Sequence, residues 1–472
     1  MQTPSLLKNT QAGQLLVLVL VFGSVFLIIV SSFISSVVAQ SQVVEFRFQQ
    51  QQAGDIAEAG LNYYKWYLAH NPGDVSGGGV YQYDDPELGR IGEYELAVTG
   101  SSYCGQISSI EVTSTGRTDA NPDAVAIISA RYKQPTIAEY SFINNAGVRY
   151  GDNRVITGPV HGNNWVHMDG AHNSFVGSGI PNYGSEGGVF SSAPPAPSNA
   201  NPSLFVYPID PIDFTGLTID LSQMRSSADA GGIYYGPSTG AGYRVLFNGD
   251  GTVDIFRVTS TINNYWSYSD TEGWNRDEEN VINNTSQLAD NLMINPDCPV
   301  LFFEDKLWLE GEVTQKVAVA AGLNTSNTQN NIVIAGNVTY VAGTNAGLVA
   351  IAQDDIDIGL NVPDNMTANG IYIAQNGRFG RNHYCENDCA SISGNQGLPG
   401  TLDEYVIRNS LTRLGSVVSN QRGGTAWSSG TLLQSGFRDR YTSFDRNQID
   451  NPPPLTPSTN DVYELQDWRQ EG

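Results

Sequence analysis

The sequence predicts a mainly β protein with one long N-terminal α-helix. The helix leads into a strand meander, then into a large, irregular, parallel β-solenoid-like exported domain carrying an α+β insertion. Two observations predict this. An uncharged apolar run near the N-terminus continues directly into an amphipathic one, and short apolar segments broken by Gly-Asn turns recur through the C-terminal two thirds.

From Leu15 to Ile34 the chain is apolar except for Gly23, Ser24, Ser31 and Ser32. Twenty helical residues span the ~30 Å hydrocarbon layer, whereas a secretory apolar region is usually about 7–15 residues. A retained membrane helix is therefore the reading, with Leu15, Leu18, Phe22, Phe26, Ile29 and Phe33 as its membrane and assembly residues. Val37-Val38-Ala39 before Gln40 leaves an alternative, an exported passenger released by cleavage after Ala39. Lys8 is the only early cation, and Glu45 and Arg47 are the first charges beyond the run. The positive-inside rule then places the amino end in the cytoplasm.

The next stretch, SQVVEFRFQQQQAGDIAEAGLNYYKWYLAH, has no proline and is rich in helix-forming Gln, Glu and Ala. Ile56, Ala59, Gly60, Tyr63 and Tyr67 recur at spacings of three and four, so one face can pack on a head domain. Asn71-Pro72-Gly73 stops the helix. Counted from Gln14 to Ala69, the two runs make one rod of about 84 Å.

A short leader with a cation, then Gly13, then an unbroken apolar helix resembles a type IV prepilin. Ala57-Glu58-Ala59-Gly60-Leu61, followed by aromatics, resembles the A-E-A-x-L stretch of PilX-type minor pilins and pseudopilins. The resemblance covers residues 8 to 70. It implies a prepilin peptidase cutting between Gly13 and Gln14 and methylating Gln14. It also implies an inner-membrane anchor, lateral packing with other pilin-like subunits, and an extracellular head displayed for adhesion or assembly priming. One departure stands out: major pilins carry a glutamate at the fifth mature position, and Leu18 is there instead. That puts abundant self-polymerisation in doubt.

Acids outnumber bases two to one and the net charge is −24, which argues against nucleic acid as a partner and against docking on anionic lipid. Of the four cysteines, Cys385 and Cys389 are close enough for a short disulfide loop, which leaves Cys104 and Cys298 as a long-range pair. Three pairings are open, and sequence does not choose among them. A metal reading would use His383, Cys385 and Cys389, but the spacings match no zinc pattern and a fourth ligand is missing.

The chain divides by texture. Residues 1–13 are the leader and 14–70 the helix, with 15–34 in the membrane and 35–70 amphipathic. Residues 71–138 form a pilin-like meander, opened by a GDVSGGGVYQYDDPE loop and built from YELAV, ISSIEVTSTG and AVAIISARYK. A first solenoid-like part covers 139–202. Residues 203–297 read as an insertion with a helix near LSQMRSSA and a hairpin turning at Gly249-Asp250-Gly251. A second solenoid-like part covers 298–435, with repeats starting at Leu309, Ile334, Ile351, Ile373 and, more weakly, Leu414. Single units of this kind cannot bury their own apolar face, but stacked units share a core. Residues 436–472 form a Pro-rich tail packing back through Tyr463, Leu465 and Trp468.

Candidate chemistry is sparse. Asp354, Asp355 and Asp357 are the densest acid cluster and the basis of the alternative function, a carbohydrate-active or carbohydrate-binding solenoid on a single-pass anchor. In a strand, Asp355 and Asp357 share one face. His161, His167 and His172 cluster in sequence with Asp169. NGDGTVD resembles a calcium loop but lacks the EF-hand glutamate and spacing, so structural calcium is not supported and no cofactor is expected. No motif points to an enzyme. Asn264, Tyr265, Trp266 and Tyr268 are the candidate adhesive surface for a glycan or protein ligand, because such rings stack well on sugars and proteins.

Overall fold

The computed structural model describes residues 11–87, 89–215, 217, 220–262, 265–277, 281–325, 330–386, 397–430 and 432–471. One long N-terminal helix precedes a large strand-rich region with mostly parallel sheets. The chain forms two compact units. The first holds Met1–Gly100, Ser109–Lys133 and Glu464–Gly472, and the second holds Ser101–Ser108 and Gln134–Tyr463.

In the first unit, α1 (Gln11–His70) runs without a break, including through Gln49 to Gln52. It ends where Pro72 lacks an amide hydrogen and Gly73 adopts a left-handed conformation (φ 74°). Asn71 caps the last turn, its backbone N–H and its side chain both donating to the Tyr67 carbonyl (2.9 and 3.2 Å). The buried stripe runs through Gln49, Ala53, Ile56, Ala57, Gly60, Leu61, Tyr64 and Leu68. Ala59, Tyr63 and Tyr67 flank it, half-buried. The expected stripe is therefore displaced by about one position. The sheet selects Leu61, Tyr64 and Leu68 for its centre, and the tyrosines at 63 and 67 lie along its margin.

The sheet is antiparallel: β1 (Gly79–Asp85), β2 (Gly89–Tyr103), β3 (Gln106–Thr118), β4 (Val125–Lys133) and the C-terminal strand Glu464–Glu471, in that order. β1 corrects the loop expected over GDVSGGGVYQYDDPE. Tyr81 stacks on Tyr94 (5.4 Å between centroids) and lies 4.8 Å from Tyr63, an aromatic contact that outweighs the loop-forming glycines. Helix and sheet meet at unusually close range. A Cβ on Gly116 would lie 2.1 Å from the Ala53 carbonyl oxygen, and one on Gly60 would lie 2.4 Å from the Ser114 hydroxyl. Tyr132 donates to the Leu61 carbonyl at 2.7 Å from within the buried interface.

The C-terminal strand corrects the expected tail. It pairs antiparallel with β4, with an irregularity between Gln466 and Arg469. Leu465 and Trp468 stay exposed, so the strand is held by its backbone ladder rather than by apolar packing. Arg131–Asp467 (3.2 Å) and Arg469–Glu111 (2.9 Å) ion pairs line this edge, where charges discourage further strand pairing.

The second unit is a stack of parallel coils. Its ten-stranded sheet runs, in spatial order, 205–206, 176–178, 160–162, 142–144, 417–419, 371–374, 347–352, 316–321, 300–303 and 233–235. The chain thus starts mid-stack at Phe142 and climbs outward to Val206. It then crosses to the opposite end at Ile233 and returns coil by coil to Val417, which pairs with Phe142. Both faces of this sheet are covered, which explains uninterrupted apolar strands such as VLFF, KVAVAA and IYIA. Inside lies the main core, and outside lies a second cluster to which α2 (Leu221–Gly231) contributes Leu221, Met224 and Ala228.

Two boundaries move as a result. Residues 203–297 are not an insertion. Ile233–Tyr235 is the end strand of the main sheet, and Gly242–Asn248 pairs in parallel with Leu307–Val313. Thr252–Thr261 and Ile282–Met293 then continue this sheet antiparallel, with the last strand largely exposed, as a cap for the stack. Residues 436–443, expected in the tail, are likewise part of a solenoid strand, Leu432–Ser443. The sequence repeats also belong to different sheets, since Leu309 pairs with Ile334 in one and Ile351 with Ile373 in another.

Candidate functional site

Of the described residues, α1 is the one helix long and apolar enough to cross a membrane, with a mean hydropathy of 2.9 in its most apolar window. Gly13 and Gln14 lie on it, exposed, and the rest of the leader through residue 10 lies outside the described residues. Leu15, Leu18, Phe22, Phe26, Ile29 and Phe33 are all exposed. The exposure does not stop at Ile34. Val37, Val38, Val43, Val44, Phe46 and Phe48 are exposed as well, and the first buried residue is Gln49. Leu15 to Phe48 measures about 51 Å of helix, against ~30 Å of hydrocarbon and about 40–45 Å including headgroups. Part of this apolar surface therefore extends past what a bilayer can cover.

The expected adhesive aromatics divide. Asn264 lies outside the described residues. Tyr265 is fully buried beside Tyr384, in a satellite core with Val281, Leu360 and Leu398. Burial pushes its phenol well above the usual range. Tyr265 is thus removed from any surface, because its ring is part of that satellite core. Tyr268 packs edge-on against Trp427 (5.5 Å) and near Trp274 (5.7 Å), and Trp266 and Tyr268 are half-buried.

The acid cluster lines a polar pocket of about 610 Å³ that also includes Asp277, Lys306 and Arg378. Arg378 lies 3.1 Å from Asp357 and 3.8 Å from Asp355, and its backbone N–H donates to Asp355 at 2.7 Å. Asp354 instead accepts from the Asn330 backbone at 3.1 Å, holding a turn. Burial pushes the Asp357 carboxyl up to about 7, with Arg378 opposing the rise and Asp355 adding to it. The arrangement ties two neighbouring coils together through one guanidinium.

The three histidines do not converge. They sit on three separate sheets, because short strands turn corners between them. His161 bonds Asn163 (2.8 Å), His167 contacts Ser192 and Asp169 (3.0 and 3.1 Å), and His172 bonds the Ser174 carbonyl (3.0 Å). At the hairpin, Asp250 accepts from the backbone and hydroxyl of Thr252 (3.0 and 2.6 Å), with Gly249 and Gly251 at positive φ. Its carboxylate is thereby engaged in shaping the turn, and the described residues hold no cluster of metal-ligating side chains. Cys104 and Cys298 form a disulfide. Cys385 is also disulfide-bonded, while Cys389 lies outside the described residues.

No family model matches the chain, and no curated protein matches it. One solved structure that it resembles is the competence-associated pilin ComZ from Thermus thermophilus. The match covers 90% of this chain and 98% of that one at 14% identity, with a TM-score of 0.24. That score is too low to establish a shared fold.

Sequence reasoning missed two groups of residues. The exposed Val43, Val44, Phe46 and Phe48 had a signal, since four large apolar residues surround Glu45 and Arg47 ahead of the packed stripe. Arg154, Arg413 and Arg440 are buried in the solenoid. Strand alternation carries that signal, because Arg154 shares a face with Ile156, and Arg413 with Leu411.

Proposed function

We propose that this chain is a membrane-anchored, minor-pilin-like structural subunit of a type IV pilus or pseudopilus. Its β-rich head is displayed for adhesion to a glycan or protein, or for priming assembly. The observation that carries this reading is the excess of exposed apolar helix over bilayer thickness. A lone anchor needs about twenty residues. A helix bundle accounts for the rest, with neighbouring pilin-like helices covering Val37 to Phe48 just outside the membrane. Leu18, in place of an acid, suits a subunit present in few copies. The same reading makes the protein non-catalytic, because Asp355 and Asp357 are committed to Arg378 and to the stacking of coils. Prepilin peptidase and the inner membrane are the partners it requires.

Mass-spectrometric determination of the amino terminus of the protein purified from native membranes tests this. An N-methylated Gln14 is the expected result. A start at Gln40, or an unprocessed Met1, would overturn it.

A further inference from the structure

The two halves of the coil stack meet at a seam, and the seam is incomplete. On the main sheet, Phe142–Asn144 pairs with Val417–Ser419, and on the second sheet Arg154–Thr157 pairs with Arg440–Ser443. On the third side the ladder breaks. Val148–Tyr150 ends a three-stranded sheet, Phe379–Gly380 ends a seven-stranded one, and among the described residues the two are not joined. A cavity of about 1040 Å³ lies at this break, lined on its two flanks by Tyr150 and Phe379.

Arg154, Arg413 and Arg440 line this cavity, each more than nine-tenths buried. Their known partners are few. Arg154 donates to the Thr425 hydroxyl (2.8 Å), Arg413 to the Thr442 hydroxyl (3.0 Å) and Arg440 to the Asn153 side-chain oxygen. Arg154 also lies over Phe142 and Tyr150, and Arg413 over Phe142 and Phe379. Among the described residues no carboxylate makes an ion pair with any of the three. Nε of each, and Nη1 of Arg413, have no hydrogen-bond partner. A guanidinium has five donors, and a buried charge left uncompensated is costly.

Arg381 shows what a structural buried arginine looks like in the same fold. Its Nε is unpartnered too, but its two terminal nitrogens donate to three carbonyls, those of Gly359, Leu360 and Tyr405. The seam arginines have no such set. Around them the cavity holds Arg149 and Arg422 as well, against Asp152, Asp169 and Asp270. Asp169 is already paired with Arg149 and His167 (3.1 Å each), and Asp270 with Arg422 (3.3 Å). Five of the chain's 24 basic residues thus gather in one cavity of a protein with net charge −24. Mutual repulsion with Arg154 adds to the burial that lowers the affinity of Arg413 and Arg440 for their protons.

We propose that the seam cavity binds a small anionic ligand, its phosphate, sulfate or carboxylate group held by Arg154, Arg413 and Arg440. The volume suits a ligand larger than a bare ion. The acidic exterior selects against long polyanions, which it repels. This inference stands apart from how α1 assembles.

The test is thermal unfolding of the full chain in neutral detergent micelles, titrated with sodium phosphate, sulfate, citrate or glucuronate against sodium chloride at matched ionic strength. A saturable rise in melting temperature with at least one oxyanion, absent with chloride, is expected. A response to phosphate or sulfate identifies a free inorganic ion, and one confined to citrate or glucuronate identifies an organic acid. Arg413→Met with Arg440→Met should abolish the response while melting no lower than the wild type without ligand. An equal response in the double variant, or no response to any oxyanion, would overturn the proposal. If the double variant melts well below the wild type or does not fold, Arg422→Ala decides, since that side chain is about half exposed. A several-fold weaker midpoint supports the site, and an unchanged one overturns it.

Discussion

The two halves of α1 are built from similar residues and meet opposite fates. Between Gln49 and Leu68 a stripe of apolar side chains faces a sheet so closely that Gly60 and Gly116 are needed at the contact. Between Leu15 and Phe48 equally apolar side chains face nothing in the chain. The difference teaches that hydrophobicity alone does not mark what a helix packs against. The packed half is recognisable by its small residues and its three-and-four spacing. The open half is apolar all round through Val38 and keeps large apolar side chains between the polar ones from there to Phe48, as a helix surrounded by lipid and then by other helices must.

Substitutions on the two halves should therefore diverge in stability. Leu61→Ala removes a buried side chain from the helix–sheet contact and should cost about 4 kcal/mol in denaturant unfolding of the full chain in micelles. Gly116→Ala forces a methyl group against the Ala53 carbonyl and should cost about 2 kcal/mol in the same measurement. Phe48→Ala, on the open half, should change stability by no more than about 0.5 kcal/mol while reducing recovery of the protein in membrane-extracted assemblies. If Phe48→Ala destabilises as much as Leu61→Ala, the two halves are not distinct.

Much of this contrast was legible in the sequence. A continuous helix was expected from Gln14 to Ala69, and it spans Gln11–His70, because no proline interrupts the run and Asn71-Pro72-Gly73 ends it. Which residues centre the stripe was less legible. Ala59 and Leu61 both satisfy helical spacing, and only the sheet decides between them. The solenoid texture was readable from its repeats, but its closure was not. Asn145 bonds Asn420 at 2.8 Å across a sequence separation of 275 residues, and periodicity carries no information about pairing at that distance. The seam cavity follows from that pairing, so its arginines went unremarked. Tyr265 was misplaced because an aromatic-rich, Asn- and Ser-rich segment reads alike whether its rings face solvent or a small satellite core.

The most direct test of the central claim is site-specific photocrosslinking in native membranes, with benzoyl-phenylalanine in place of Phe48 or of Trp66. Both side chains are exposed in the isolated chain, one on each half of the helix. The account predicts that the probe at position 48 crosslinks to a small pilin-like protein and the probe at position 66 does not. Crosslinking of position 48 to lipid alone, or to nothing, would contradict it.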